Sequence, residues 1–453
     1  MKTRRWGLMA TSVLATLALV SGCTGGGGTP TTTPSGSSAT SGSSEPVTIS
    51  FLGRGQPEEE ANFKILIAQF EEKFPNVKVD YTQVPPADFT TKLQTMIAAH
   101  QTPDVFYLYP ESVMPFAQNG IVWDMTDYVA NNDLFKQDNI WPKALDMYRY
   151  DGKTPGVGAL YGLPKDIGPF ALAYNKDLFD AAGIPTPDPK TPWTWDQFVQ
   201  YAKQLTSGDG ANKVFGTAPY SLESAVWSNG ADWLNAAHDT VTITDPKFTD
   251  AMQWVADLVN KHHVAPSAAD LGTGDTNTLW LAGRIGMMGV GPWVQTQFWA
   301  DAKFNWDIMP WPVPKAGDKP ATWYGGIGLA VSADSKNKEA AANLAAFLAF
   351  NEDSQRTAMQ LGQSIPNLID MTQSEWMTNN KPPASKQVFL DIIQDWGRRA
   401  TQTYTYTSDW FGDFNTNAAA VWNGEMTAVD FAAKEAPVMQ DMLTAGINQQ
   451  KSG

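Results

Sequence analysis

The chain has 453 residues, with 47 acidic against 32 basic side chains and a formal net charge of −15. That balance argues against nucleic acid or an anionic membrane surface as a partner, because both are met by basic patches. Cys23 is the only cysteine, so if it carries lipid no thiol is left for a disulfide, a zinc site or a nucleophile, and the fold must rest on its apolar core.

The chain opens Met1-Lys2-Thr3-Arg4-Arg5, followed by an apolar run from Trp6 to Val20 and then Ser21-Gly22-Cys23. A basic start, a short apolar middle and small residues before a cut describe a secretory signal over residues 1–22. The run is shorter than the roughly 20 residues a membrane span needs. Val20-Ser21-Gly22-Cys23 resembles a lipobox, with Val where Leu is usual. The resemblance implies that Cys23 becomes the lipidated first residue of the mature chain, anchored by acyl chains at about 0.8 kcal/mol per buried CH₂. Residues 23–46 are almost entirely Gly, Thr, Ser and Pro, a composition that cannot bury enough surface to fold and serves as a flexible tether. Enough chain follows for two domains or two large lobes.

Val47, Ile49 and Phe51 alternate as a strand, and Phe63, Ile67, Phe70 and Phe74 share one helical face that stops before Pro75. Val77, Val79 and Tyr81 alternate again. Asp88 is placed to cap a helix carrying Phe89, Leu93, Met96 and Ile97, and 105–108 reads as a buried strand. Strand–helix–strand–helix–strand at this spacing predicts parallel pairing with right-handed crossovers. In such sheets ligands sit beyond the carboxyl ends of the strands, here Gly53-Arg54-Gly55-Gln56, Val84-Pro85-Pro86 and Tyr109-Pro110-Glu111. Asp104, at the start of its strand, reads as structural.

Farther on, 170–174 suits a buried strand. Thr194 and Gln197 form a capping box for a helix whose apolar face is Phe198, Ala202 and Leu205. Asp245-Pro246 starts another helix. His262 and His263 are adjacent, so their side chains diverge, and His100 and His238 have no neighbour in sequence to share a metal. Leu281 to Trp293 reads as a helix stopped at Gly283, a short strand, and a Gly-Pro turn presenting an indole. Trp323 to Val331 is a strand carrying Gly325, Gly326 and Gly328, then an Ala-rich helix to Phe350, and a last helix over 429–443. Tryptophan is abundant at 18 residues, and an indole at a cleft surface packs well on the apolar C–H face of a pyranose.

Several phrases resemble one family in order. They are Thr102-Pro103-Asp104-Val105, Phe116-Ala117-Gln118-Asn119-Gly120, Tyr161-Gly162-Leu163-Pro164, Tyr174-Asn175-Lys176-Asp177-Leu178-Phe179, Pro192-Trp193-Thr194-Trp195-Asp196-Gln197-Phe198, Gly283-Arg284-Ile285-Gly286-Met287, and the Gly-Gly pair before Ile327. Together they resemble the extracellular solute-binding proteins of ABC importers, in the carbohydrate-binding branch that includes maltodextrin-binding protein, over about residues 47–446. The resemblance implies a two-lobe α/β fold of the periplasmic-binding-protein kind. Lobe I would be residues 47–168 and 330–372, lobe II residues 169–329 and 373–446, with a tail over 447–453. Hinge crossings are expected near 167–170, 325–329 and 369–374. It further implies a monomer that binds an oligosaccharide, needs no cofactor or metal, and hands its ligand to a membrane permease. The expected stacking residues are Trp293 and Trp227. Glu111 and Asp166 would accept sugar hydroxyls, with Arg54, Gln56, Tyr324 and Gly326 adding contacts and Trp396 and Arg398 matching more loosely. Two other readings stay open. One is a glycan hydrolase with a carboxylate pair about 5 to 10 Å apart, although no hydrolase motif is present. The other is the same fold with a polyol, a sugar phosphate or a metal chelate as its ligand.

Overall fold

The computed structural model describes residues 46–272 and 274–452. The signal sequence, Cys23 and nearly all of the tether lie outside the described residues. The alternating start becomes β1 (Val47–Arg54), followed by α1 (Pro57–Lys73), β2 (Val77–Val84), α2 (Phe89–Ala98) and β3 (Val105–Leu108). Both neighbours of β1 are parallel to it, with Phe51 opposite Val105 and Tyr81. The amphipathic face of α1 buries Phe63, Leu66, Ile67 and Phe70, as its spacing predicts. Asp88 stands at the start of α2 but makes no side-chain cap hydrogen bond. Asp104 is structural. Its carboxylate accepts from the Ser50 amide (2.9 Å), the Ser50 hydroxyl (2.9 Å) and the Ser335 hydroxyl (2.6 Å), tying β1 to the loop after the last strand of this sheet.

The chain then makes three very short extended steps, β4 (Leu163–Pro164), β5 (Gly168–Pro169) and β6 (Ala171–Asn175), and these divide it between three sheets. The next helices are α3 (Trp195–Leu205), α4 (Leu222–Ser228) and α5 (Pro246–Asn260). The capping box of α3 forms as the sequence suggests, with the Thr194 hydroxyl and the Gln197 side chain each serving the other's backbone. After α6 (Thr276–Leu281), Gly283 adopts φ +70°, the left-handed stop that glycine permits. There follow β7 (Met287–Val290), α7 (Gln295–Asp301), β8 (Trp306–Met309), β9 (Thr322–Gly325), β10 (Gly328–Val331), α8 (Lys338–Phe350), α9 (Glu352–Gln360), β11 (Gly397–Arg398) and α10 (Ala428–Ser452).

The first sheet has five strands in the order β2-β1-β3-β10-β4, with β10 antiparallel to both its neighbours. The second has β6 at its centre, antiparallel to β8 and β7. Between them lies a small crossing sheet in which β9 pairs with β5 and β11. The chain passes through this crossing sheet at 168–169 and 322–325, next to two of the expected hinge segments. Its third strand is 397–398, whereas 369–376 forms helical turns. The result is the two-lobe α/β architecture that the motif order implies.

Two apolar clusters fill the molecule, and they do not divide lobe by lobe. Leu172, Tyr174, Met287 and Met309 point from the second sheet into one cluster with Phe198, Trp227 and Phe248. Ala171, Ala173, Met288 and Ile308 point the other way, into the cluster that also holds the first sheet. That is the period-2 alternation of a sheet covered on both faces. Among the described residues no helix is long and apolar enough to cross a membrane.

Candidate functional site

The carboxyl ends of β1 and β3, the crossing sheet and the edge of the second sheet open onto one cavity of about 780 Å³. That is within the usual range of small-molecule sites. From the first lobe it is lined by Arg54, Gln56, Tyr109, Glu111, Lys165 and Asp166; from the crossing segments by Trp323 to Ile327 and by Arg399, Ala400, Gln402 and Thr403; and from the second lobe by Glu223, Asp275, Trp293 and Gln297.

Its apolar wall includes Trp293 and Trp323, which belong with Phe170 to a set of near-parallel rings. Phe170 lies 4.5 Å from Trp323 at 15°, and Trp293 lies 5.8 Å from Trp323 at 17°. Phe170 and Trp293 are almost coplanar in orientation, at 3°. Trp311 backs the set and fixes it by donating its indole N–H to the Phe170 carbonyl at 2.8 Å. Trp293 is 39% exposed and is the only exposed tryptophan among the described residues. The chain reaches this arrangement through Gly291 and Pro292. A Cβ at Gly291 would overlap the Trp293 ring, so only glycine lets the indole fold back over its own turn.

The polar wall holds an ion pair and several singly placed polar groups. Lys165 and Asp166 form an ion pair at 2.7 Å with both side chains largely buried, and Asp166 also accepts from the Ile327 amide at 3.1 Å. Asp166 is therefore partly engaged in holding the crossing segment, and Lys165 rests over the rings of Phe63 and Tyr107. Arg54 stacks on Tyr109, 5.2 Å from its centroid. Burial holds the Glu111 carboxyl above the ordinary carboxylate range, with the Arg54 charge partly opposing that. Gln56 binds the start of α1, its amide donating to the Glu59 carboxylate at 3.1 Å. Tyr324 reaches the cavity but is 6% exposed, with Lys143 over its ring. At Gly326 a Cβ would come within 2.6 Å of the Asp166 carbonyl, so the two crossing segments approach there backbone to backbone.

The cavity thus brings together Arg54, Gln56, Glu111, Asp166, Trp293, Tyr324 and Gly326. Three residues expected with them stand elsewhere. Trp227 is 3% exposed and packs edge-on to Trp233 in the second cluster, so its indole presents no face to the cavity. Arg398 turns outward, 5.9 Å from the Trp227 centroid and 3.6 Å from the Asp232 carboxylate. Trp396 is half-buried against the first cluster. The loose motif match at 395–399 gave no register, and the crossing sheet aims Arg399 at the cavity while Arg398 faces away.

Among the lining residues that the sequence reading did not assign to the site are Trp323, Arg399 and Glu223. Trp323 sits one residue before the tyrosine that was expected, and alternation along β9 alone does not tell which face meets a cavity. Arg399 is 7% exposed, lies over Tyr404 and donates to the Asp146 carbonyl at 3.3 Å. Glu223, on the short helix α4, belongs to no motif. Among the described residues no group of three metal-ligating side chains forms.

The chain matches the model of the bacterial extracellular solute-binding proteins over residues 55–355. A maltotriose-binding protein of Pyrococcus abyssi is 24% identical over 392 residues, covering 84% of this chain and 76% of that protein. An uncharacterised lipoprotein of Streptomyces antibioticus is 28% identical over 321 residues, or 67% of each chain. An ABC substrate-binding protein of Listeria monocytogenes, solved in complex with cycloalternan, matches with a TM-score of 0.78 at 27% identity, covering 88% of this chain and 100% of that one. A two-lobe fold, a cleft between its sheets and a family match over most of the folded chain lead to one assignment: the chain belongs to the bacterial extracellular solute-binding protein family.

Proposed function

We propose that the protein is the lipid-anchored substrate-binding component of an ABC sugar importer, and that it captures a neutral oligosaccharide in the inter-lobe cavity for delivery to a membrane permease. The observation that carries this reading is the exposed Trp293 beside the nearly parallel Trp323 and Phe170, with carboxylates on the facing walls. An exposed indole is costly in water and useful against the C–H face of a sugar ring. Carboxylates accept hydroxyls in charge-assisted bonds about twice as strong as neutral ones. The relatives that bind maltotriose and cycloalternan support a sugar of more than one ring. The lobes would close about the crossing sheet, because only a closed form lets both walls touch one ligand. A micromolar ligand needs about −8 kcal/mol, which stacking and a few charge-assisted bonds can supply.

The test is titration with maltotriose, cycloalternan, and xylo-, cello- and galacto-oligosaccharides, followed by tryptophan emission and melting temperature. Saturable quenching with at least one is expected; no response to any of them would remove the sugar reading. Attachment through Cys23 is checked by mass spectrometry of the membrane fraction, where Cys23→Ser should release the protein. A hydrolase built on Glu111 and a second cleft carboxyl would instead release reducing ends steadily, and none is expected.

A further inference from the structure

Glu223 differs from every other acid deep in the cavity. Asp166 is paired with Lys165, and the charge of Arg54 acts on Glu111. No cation among the described residues offsets Glu223; burial drives its carboxyl upward, against a hydrogen bond from its own backbone amide and one from the Ser221 hydroxyl, which donates at 3.1 Å. Both donors belong to the first turn of its own helix, and Glu223 lines the cavity together with Trp293.

The position of this carboxylate is rigid. Helix α4 is fastened to the strand β9 at two points. The Ser224 hydroxyl donates to the Thr322 hydroxyl at 3.0 Å, and Ser228 Oγ accepts from the Ala321 amide at 2.9 Å while donating to the Ala321 carbonyl at 3.2 Å. Thr322 is in turn bonded to the Phe170 carbonyl at 3.0 Å, so the helix carrying Glu223 is registered against the strand and loop that carry the aromatic wall. A desolvated carboxylate without a cation costs folding free energy, and the partners of this one are confined to the start of its own helix.

We infer that Glu223 is a specificity-determining acceptor of the second lobe, taking a hydroxyl of the bound ligand opposite the Glu111 wall and excluding ligands that carry an anionic group. The inference rests on the sugar reading above and narrows it to neutral, hydroxyl-rich ligands. Acids outnumber bases two to one among the cavity-lining side chains, which works in the same direction. A phosphate or uronate carboxylate at this wall would meet an uncompensated like charge. A sugar hydroxyl there makes the stronger, charge-assisted kind of bond.

The experiment compares wild type and Glu223→Gln by calorimetry, with maltotriose, xylotriose, cellotriose and galactotriose as neutral probes and trigalacturonic acid as the anionic one. Melting of the ligand-free proteins is measured alongside. For whichever neutral sugar the wild type binds, Glu223→Gln is expected to weaken affinity roughly tenfold or more. Its preference over trigalacturonic acid should narrow, and the ligand-free variant should melt at or above the wild-type temperature. Neutral-sugar affinity within twofold of wild type overturns this inference alone. A fall of several degrees in the free variant's melting point does the same, since it would make the carboxylate structural. A wild type that binds none of the neutral probes overturns the sugar reading and this inference together.

Discussion

Trp293 and Trp227 are the same residue type with opposite fates. Trp293 is 39% exposed beside other rings at the cavity, and Trp227 is 3% exposed within the second cluster. Removing the first deletes a stacking face while taking little from the core. Trp293→Ala should weaken sugar binding at least tenfold and move the melting point of the free protein by no more than a couple of degrees. Trp227→Ala should lose about 3–5 kcal/mol in denaturant unfolding, because it leaves a cavity among packed rings. If the two variants behaved alike in both measurements, the division between wall and core would be mistaken. The Gly-Pro turn before Trp293 favours display, but the stretch before Trp227 fits burial and display alike, so the fate of the second indole is not legible locally.

At the scale of the element, the turn from β7 into α7 sets the aromatic wall. Gly291 has φ −119°, which any residue tolerates, so its backbone conformation is not the reason for glycine. The reason is the Trp293 ring lying against its Cα. Gly291→Ala should displace that ring and weaken ligand binding severalfold, leaving circular dichroism unchanged; binding equal to wild type would show the ring free to sit elsewhere. The Gly-Pro-Trp phrase is legible in sequence as a turn that presents an indole. Capping is legible in part. Thr194 and Gln197 form their box, yet Asp88, equally suited by residue type, makes no cap bond because it adopts a helical rather than an extended conformation.

Across the whole molecule, α10 links parts that the chain order keeps far apart. Its start and middle bury Phe431, Met439 and Leu443 in the second cluster. Near its end, the Gln450 side-chain amide donates to the Tyr150 hydroxyl and the Lys153 carbonyl, both at 3.1 Å, and the Gln450 backbone carbonyl accepts from the Gln118 side chain at 2.9 Å. The residues expected as a loose tail after 446 thus continue the helix to Ser452 and fasten it to the segment before the first crossing. Gln450→Ala removes two partly exposed bonds, each of about 0.5–1.5 kcal/mol at most. The ligand-free protein is expected to show a larger radius of gyration by X-ray scattering and a severalfold weaker ligand affinity, with its unfolding still cooperative. No change in either quantity would mean that the contact follows lobe position and does not hold it.

Period and punctuation in the sequence were enough to outline the main elements and the parallel start of the first sheet, because each depends on residues within a few positions of one another, whereas the two-lobe architecture came from the resemblance of motifs in order. The tertiary structure alone decided which aromatic rings face the cavity, that Asp166 is partly engaged by Lys165, and that Glu223 stands without a cation. Even where the partner is adjacent, as Lys165 is to Asp166, exposure and charge compensation are properties of the assembled surroundings, which no local pattern encodes.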